Sequence, residues 1–127
     1  MNSFTGEKVL MRIQISENDK FGRKPLFEAL IDLFNKEGFP SAIVLKGVAG
    51  FGVDTVYHTN KLLDLSSQLP VIVEVIEGRE RIDEVMAKID AMMSGGLITL
   101  EKVNVVHYRV DNDRQRRLSY CHQGGTC

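Results

Sequence analysis

The chain has no tryptophan, three prolines and two cysteines in 127 residues, and its charges nearly cancel, with 16 Lys and Arg against 17 Asp and Glu. Each shortage excludes something. Without a basic excess there is no overall field to hold a phosphate backbone, so nucleic acid is not an expected partner. Cys121 and Cys127 sit in a polar terminal stretch. Even with His122 they cannot fill the tetrahedral set of a structural zinc site, and they form no framework of bridges; free thiols in a reducing compartment are expected. Apolar runs extend only a few residues, too short to span a bilayer. Met1 to Glu7 is polar rather than signal-like. The expectation is a cytoplasmic protein without membrane insertion.

What is present is ordinary globular material, with enough apolar residues for one core. KVLMRIQI, Lys8 to Ile15, alternates: Val9, Met11, Ile13 and Ile15 share one face, and Lys8, Leu10, Arg12 and Gln14 the other, which predicts a strand. SENDKFGRK reads as a loop of mixed, solvated charge. Pro25 suits a first helical turn. Leu26, Phe27, Leu30, Ile31, Leu33 and Phe34 recur at helical spacing, and Gly38 can end that helix. Ser41 to Lys46 and Val71 to Ile76 read as two further strands. Gly78 opens a second helix with Glu80, Asp83 and Glu84 near its positive end and Ile82, Val85, Met86, Ile89, Met92 and Met93 as its stripe. Leu97 to Arg109 reads as a fourth strand carrying His107. From Asp111 the chain is polar, so residues 1–110 are expected as one domain and 111–127 as a tail. The order βαββαβ predicts an α+β ferredoxin-like sandwich, one four-stranded antiparallel sheet with both helices on one face.

Two features exceed what that fold needs. The second and third strands form a hairpin whose tip runs from Gly47 to Pro70, where ordinary hairpins use about two to five residues. Its segment 52–67 mixes too few apolar residues with Asp54, Thr59, Asn60 and Asp64 to order itself. The third and fourth strands are also apolar on both faces, whereas two helices cover only one. Oligomerisation through the second face is the simplest outcome; Glu74, lying among its apolar residues, then needs a partner.

KGVAGFG, Lys46 to Gly52, follows the second strand. Its glycine order is not a dinucleotide fingerprint, and it enters a hairpin rather than a helix. It suits either an anion nest, with N–H groups converging on a phosphate beside Lys46, or simple tight turns. His58 in the loop and His107 have no nearby nucleophile or second metal ligand in sequence. Arg114, Arg116 and Arg117 form a short basic run in the tail.

Lys46-Gly47, Gly50-Phe51-Gly52, Leu69-Pro70, Glu74 and Gly95-Gly96 together resemble the PII (GlnB-like) signalling proteins, and more closely an uncharacterised PII-like branch of them. The resemblance spans about Lys8 to Arg109. It implies a non-enzymatic regulator, a homotrimer with its sheets packed inward. It also implies an adenine nucleotide (AMP, ADP or ATP) held between subunits, and a T-loop, here 48–69, that contacts a protein target. Carried over by position, the ligand-binding residues are Lys46, Gly47, Val48, Ala49, Gly50, Phe51 and Gly52 at the loop base. Glu74, Val75 and Ile76 on the third strand lie where backbone meets adenine, and Gly95 and Gly96 lie in the B-loop. No metal site is implied. The chain departs from the family by the insertion Val48-Ala49-Gly50 and by Leu97 in place of a phosphate-binding lysine. Tyr57 lies in the segment where the family carries a tyrosine. Two alternatives on similar architecture are a CutA-like structural or metal-tolerance trimer without nucleotide and an acylphosphatase-like enzyme. For the latter, Gly22-Arg23 is only a fragment of the required loop.

Overall fold

In a computed structural model, residues 4–51 and 69–110 are described. The expected mobile loop 52–67, Gly52, Tyr57, His58 and the tail 111–127 lie outside them. Contacts group Glu7–Val103 into one compact unit, the sheet and its helices. A second unit joins, among the described residues, Phe4–Gly6 to Asn104–Val110, and within it the rings of Phe4 and Tyr108 lie 5.1 Å apart.

The sheet is built from β1 (Gly6–Ser16), β4 (Ala42–Lys46), β5 (Pro70–Glu77) and β6 (Leu97–Val105), in the order β4-β5-β1-β6. β5 pairs antiparallel with β1 on one side and β4 on the other. With α1 (Leu26–Lys36) between β1 and β4, and α2 (Arg79–Met92) between β5 and β6, this is the ferredoxin-like sandwich. The fourth strand ends at Val105, so His107 lies beyond the ladder rather than in it. The expected loop SENDKFGRK contains a small ribbon, β2 (Lys20–Phe21) paired with β3 (Lys24–Pro25). It starts from a tight turn in which Asp19 accepts the Ser16 N–H through Oδ2 and returns its own N–H to the Ser16 carbonyl.

Period-two alternation assigns the faces. Val9, Met11, Ile13 and Ile15 of β1 stand beside Val71, Val73 and Val75 of β5, and all are buried. Against them pack Leu26, Leu30 and Phe34 of α1 and Ile82, Val85 and Ile89 of α2. These spacings put each apolar stripe on one helical face, which is why both helices cover the same side of the sheet. α1 ends in a Schellman motif. Gly38, at φ 79°, donates to the Asn35 carbonyl and Phe39 to the Phe34 carbonyl, while the Phe34 and Phe39 rings meet at 5.1 Å. α2 is clasped to that end: Arg81 donates to the Glu37 carbonyl and lies over the Phe39 ring, and Lys88 Nζ meets Glu37 Oε2 at 2.7 Å.

Candidate functional site at the hairpin base

β1 and β4 run in one direction and β5 and β6 in the other. The ends of the first pair and the starts of the second therefore lie at one end of the sheet, spread from edge strand β4 to edge strand β6. That end carries Ser16-Glu17, Lys46-Gly47, Leu69-Pro70 and Gly95-Gly96. The Gly47 N–H donates to the Pro70 carbonyl at 2.8 Å, and the Glu17 N–H to the Leu69 carbonyl at 3.1 Å. These bonds carry each ladder one residue past its strand and fix both ends of the 23-residue connection between β4 and β5.

The glycines here are required by contact. A Cβ on Gly47 would lie 2.8 Å from Pro70 Cγ and 3.2 Å from the Pro70 carbonyl oxygen. A Cβ on Gly96, which sits at φ 122°, would lie 2.8 Å from the Gln14 carbonyl oxygen. Gly47 thus lets the hairpin base lie against the start of β5, and Gly96 lets the α2–β6 connection lie against the end of β1. A Cβ on Gly50, at φ 145°, would lie 3.3 Å from Pro70 Cγ. Val48, Ala49 and Phe51 are solvent-exposed, and Gly95 is half-buried.

Lys46, the one cation expected here, has a partner. Its Nζ lies 2.9 Å from Glu17 Oε2. Register places Lys46 opposite Val71, and Ile15 opposite Val71 on the other side, so the pair reaches across β5. Only 17% of the Glu17 side chain is exposed, against 55% of Lys46. Glu17 Oε1 is buried and finds no hydrogen-bond partner among the described residues. Glu17 is therefore not the solvated turn residue that its polar neighbours suggested. A carboxylate two residues beyond an alternating apolar strand, in phase with its buried face, was the signal available in the sequence.

Glu74 faces the other side of the sheet, where Arg12 Nε meets it at 2.6 Å. Arg12 also reaches Glu101 of β6 at 3.2 Å. The Glu74 hydrogen bond and charge raise the Arg12 guanidinium above its already high range. Around this cluster lie Leu10, Ile72 and Ile76, half-buried, with Ile43 and Leu45 each nearly half exposed. Among the described residues of this unit no element covers that face, and Glu74 has the partner that the sequence required. Val75 is a core side chain with ladder neighbours on both sides, Met11 and Ala42. Val75 and Ile76 thus share a strand with the loop base but stand about 13 Å and about 17 Å along it from Val71, the position opposite Lys46, at roughly 3.3 Å per residue. Among the described residues no group of His, Cys, Asp and Glu could hold a metal ion, and no helix is long and apolar enough to cross a membrane.

Residues 8–105 match the model of the DUF190 family, described as "Uncharacterized ACR, COG1993". A UPF0166 protein of Aquifex aeolicus is 37% identical over 101 residues, covering 80% of this chain and 95% of its own. UPF0166 protein MJ1524 of Methanocaldococcus jannaschii is 31% identical over 97 residues, covering 76% and 89%. Among solved structures, CPII from Thiomonas intermedia K12, bound to ADP and bicarbonate, superposes with a TM-score of 0.52 at 14% identity, covering 80% of this chain and 90% of that one. At that identity the likeness is one of fold, and the fold is PII-like.

Proposed function

The chain belongs to the DUF190 family, and we propose that it acts there as a non-enzymatic, PII-like regulator. It is a cytoplasmic homotrimer that binds an adenine nucleotide at the base of the β4–β5 hairpin and presents that hairpin to a protein target. The observation that carries this reading is that Lys46, Gly47 and Gly50 lie at the same end of the sheet as Gly95 and Gly96, the first group on edge strand β4 and the second leading into the opposite edge strand β6. The Gly47 N–H is given to the Pro70 carbonyl, but the remaining glycines leave their backbone unscreened by side chains, and Lys46 adds the charge a phosphate requires. The ADP carried by CPII, on the same fold, supports a nucleotide of that class. The open apolar face supports assembly with the sheets inward.

Ligand occupancy can set the hairpin's conformation only by its differential affinity for one arrangement of the base. Gly47 and Pro70 are the two ends that a ligand would hold. A CutA-like trimer without nucleotide is the second reading, favoured by the pairing of Lys46 with Glu17, which compensates the lysine within the chain. Mass spectrometry of small molecules released from the purified native oligomer separates them. The regulator releases AMP, ADP or ATP, or takes one up on addition; the structural trimer does neither.

A further inference from the structure

We infer that Glu17 is an internal competitor for Lys46, a latch that a phosphate group must displace when it binds. The inference deepens the nucleotide-site reading above and rests on it.

Three observations on one residue carry it. Glu17 Oε2 holds Lys46 Nζ at 2.9 Å, the cation that the phosphate site needs. Its other oxygen, Oε1, is buried with no hydrogen-bond partner among the described residues. A carboxylate in that state is held at a cost and gains by moving to water. Its own N–H donates to the Leu69 carbonyl. Glu17 therefore grips the end of β4 by its side chain and the approach to β5 by its backbone, which are the two ends of the hairpin.

A phosphate that takes Lys46 leaves Glu17 as a second anion beside it, in a setting where like charges repel. The carboxylate must then leave, and Lys46 is released from the strand to which Glu17 ties it. The exchange is one ion pair for another, so it is close to balanced and is decided by ligand charge and concentration. Occupancy of the site thereby becomes a change at both ends of the hairpin, without a separate transmitting element. The side chain of Lys46 is more than half exposed, so its ammonium can be reached from solvent while the pair is closed.

The test uses Glu17→Gln, which keeps the shape and removes the charge, with Glu17→Ala as a second variant should the first not fold. ADP and ATP are titrated calorimetrically into wild type and variant, and hydrogen exchange of residues 46–51 is followed in both proteins without ligand. The expected result is tighter binding by the variant, at least about threefold, the scale of losing one competing ion pair, with faster exchange at the hairpin base. If the wild type binds nucleotide and the variants bind equally or more weakly, the latch is wrong and the site reading stands. Tighter binding with unchanged exchange would leave Glu17 a competitor but overturn its tie to the hairpin. If no protein binds nucleotide, the site reading fails and takes this inference with it.

Discussion

Two glycines at the hairpin-base end of the sheet differ in what a methyl group would do to them. At Gly96 the backbone lies at φ 122°, where an L side chain is strained, and the added carbon would also press on the Gln14 carbonyl. At Gly47 the dihedral is ordinary, and the obstacle is the Pro70 ring and carbonyl. Gly96→Ala should therefore be the more destabilising change, by roughly 2–4 kcal/mol from strain and overlap together, and Gly47→Ala by about 1–3 kcal/mol. Urea unfolding of the two variants checks the order; equal midpoints with wild type would show that this end is not packed as described. The sequence made both glycines visible as candidates but not as contacts, because Pro70 and Gln14 are far from them along the chain. Glu17 was missed for the same reason. Its partner Lys46 is 29 positions away and meets it only once three strands are aligned. Arg12, by contrast, could have been matched to Glu74, since both lie on strands whose alternation places them on the face away from the helices.

At the scale of elements, periodicity was enough to find both helices and all four sheet strands. Their buried faces repeat at the spacings that the core selects. It failed where short polar pairs form local structure. The β2–β3 ribbon contains four residues, too few to show a pattern. The strand expected to run to Arg109 ends at Val105, since apolar residues continue past the last ladder position.

The α1–α2 clasp gives a prediction at this scale. The Lys88 hydrogen bond, with the charges of Lys88, Arg81 and Lys36, holds the Glu37 carboxyl below its usual range. A lowered folded pKa contributes stability above the unfolded value, near 4.3–4.5, and loses it as pH falls through the folded one. Glu37→Gln should thus be less stable than wild type at neutral pH, with the gap closing once the solution falls below about pH 4. A gap that stays constant from neutral pH to pH 3 in thermal melts would mean that the ion pair contributes nothing.

For the whole molecule, the prediction starts from the sheet face with Leu10, Ile43, Leu45, Ile72 and Ile76, which no described element of its unit covers. The prediction is a trimer at micromolar concentration by sedimentation equilibrium. Ile72→Lys should yield monomer, because it would bury a charge among apolar side chains. A stable trimer in that variant would move the interface elsewhere. The expected oligomer rests on one pattern, apolar residues in both phases of β5, that the sequence already displayed.

The claim that the hairpin base holds a nucleotide phosphate meets its most direct test in calorimetric titration of AMP, ADP and ATP into wild type and Lys46→Ala. At least one nucleotide should bind the wild type, with roughly tenfold weaker binding once the lysine is gone, the scale of a charged hydrogen bond. Equal affinity in the two proteins, or no binding to the wild type at millimolar nucleotide, would contradict the account and leave the glycines of KGVAGFG with only a turn to make.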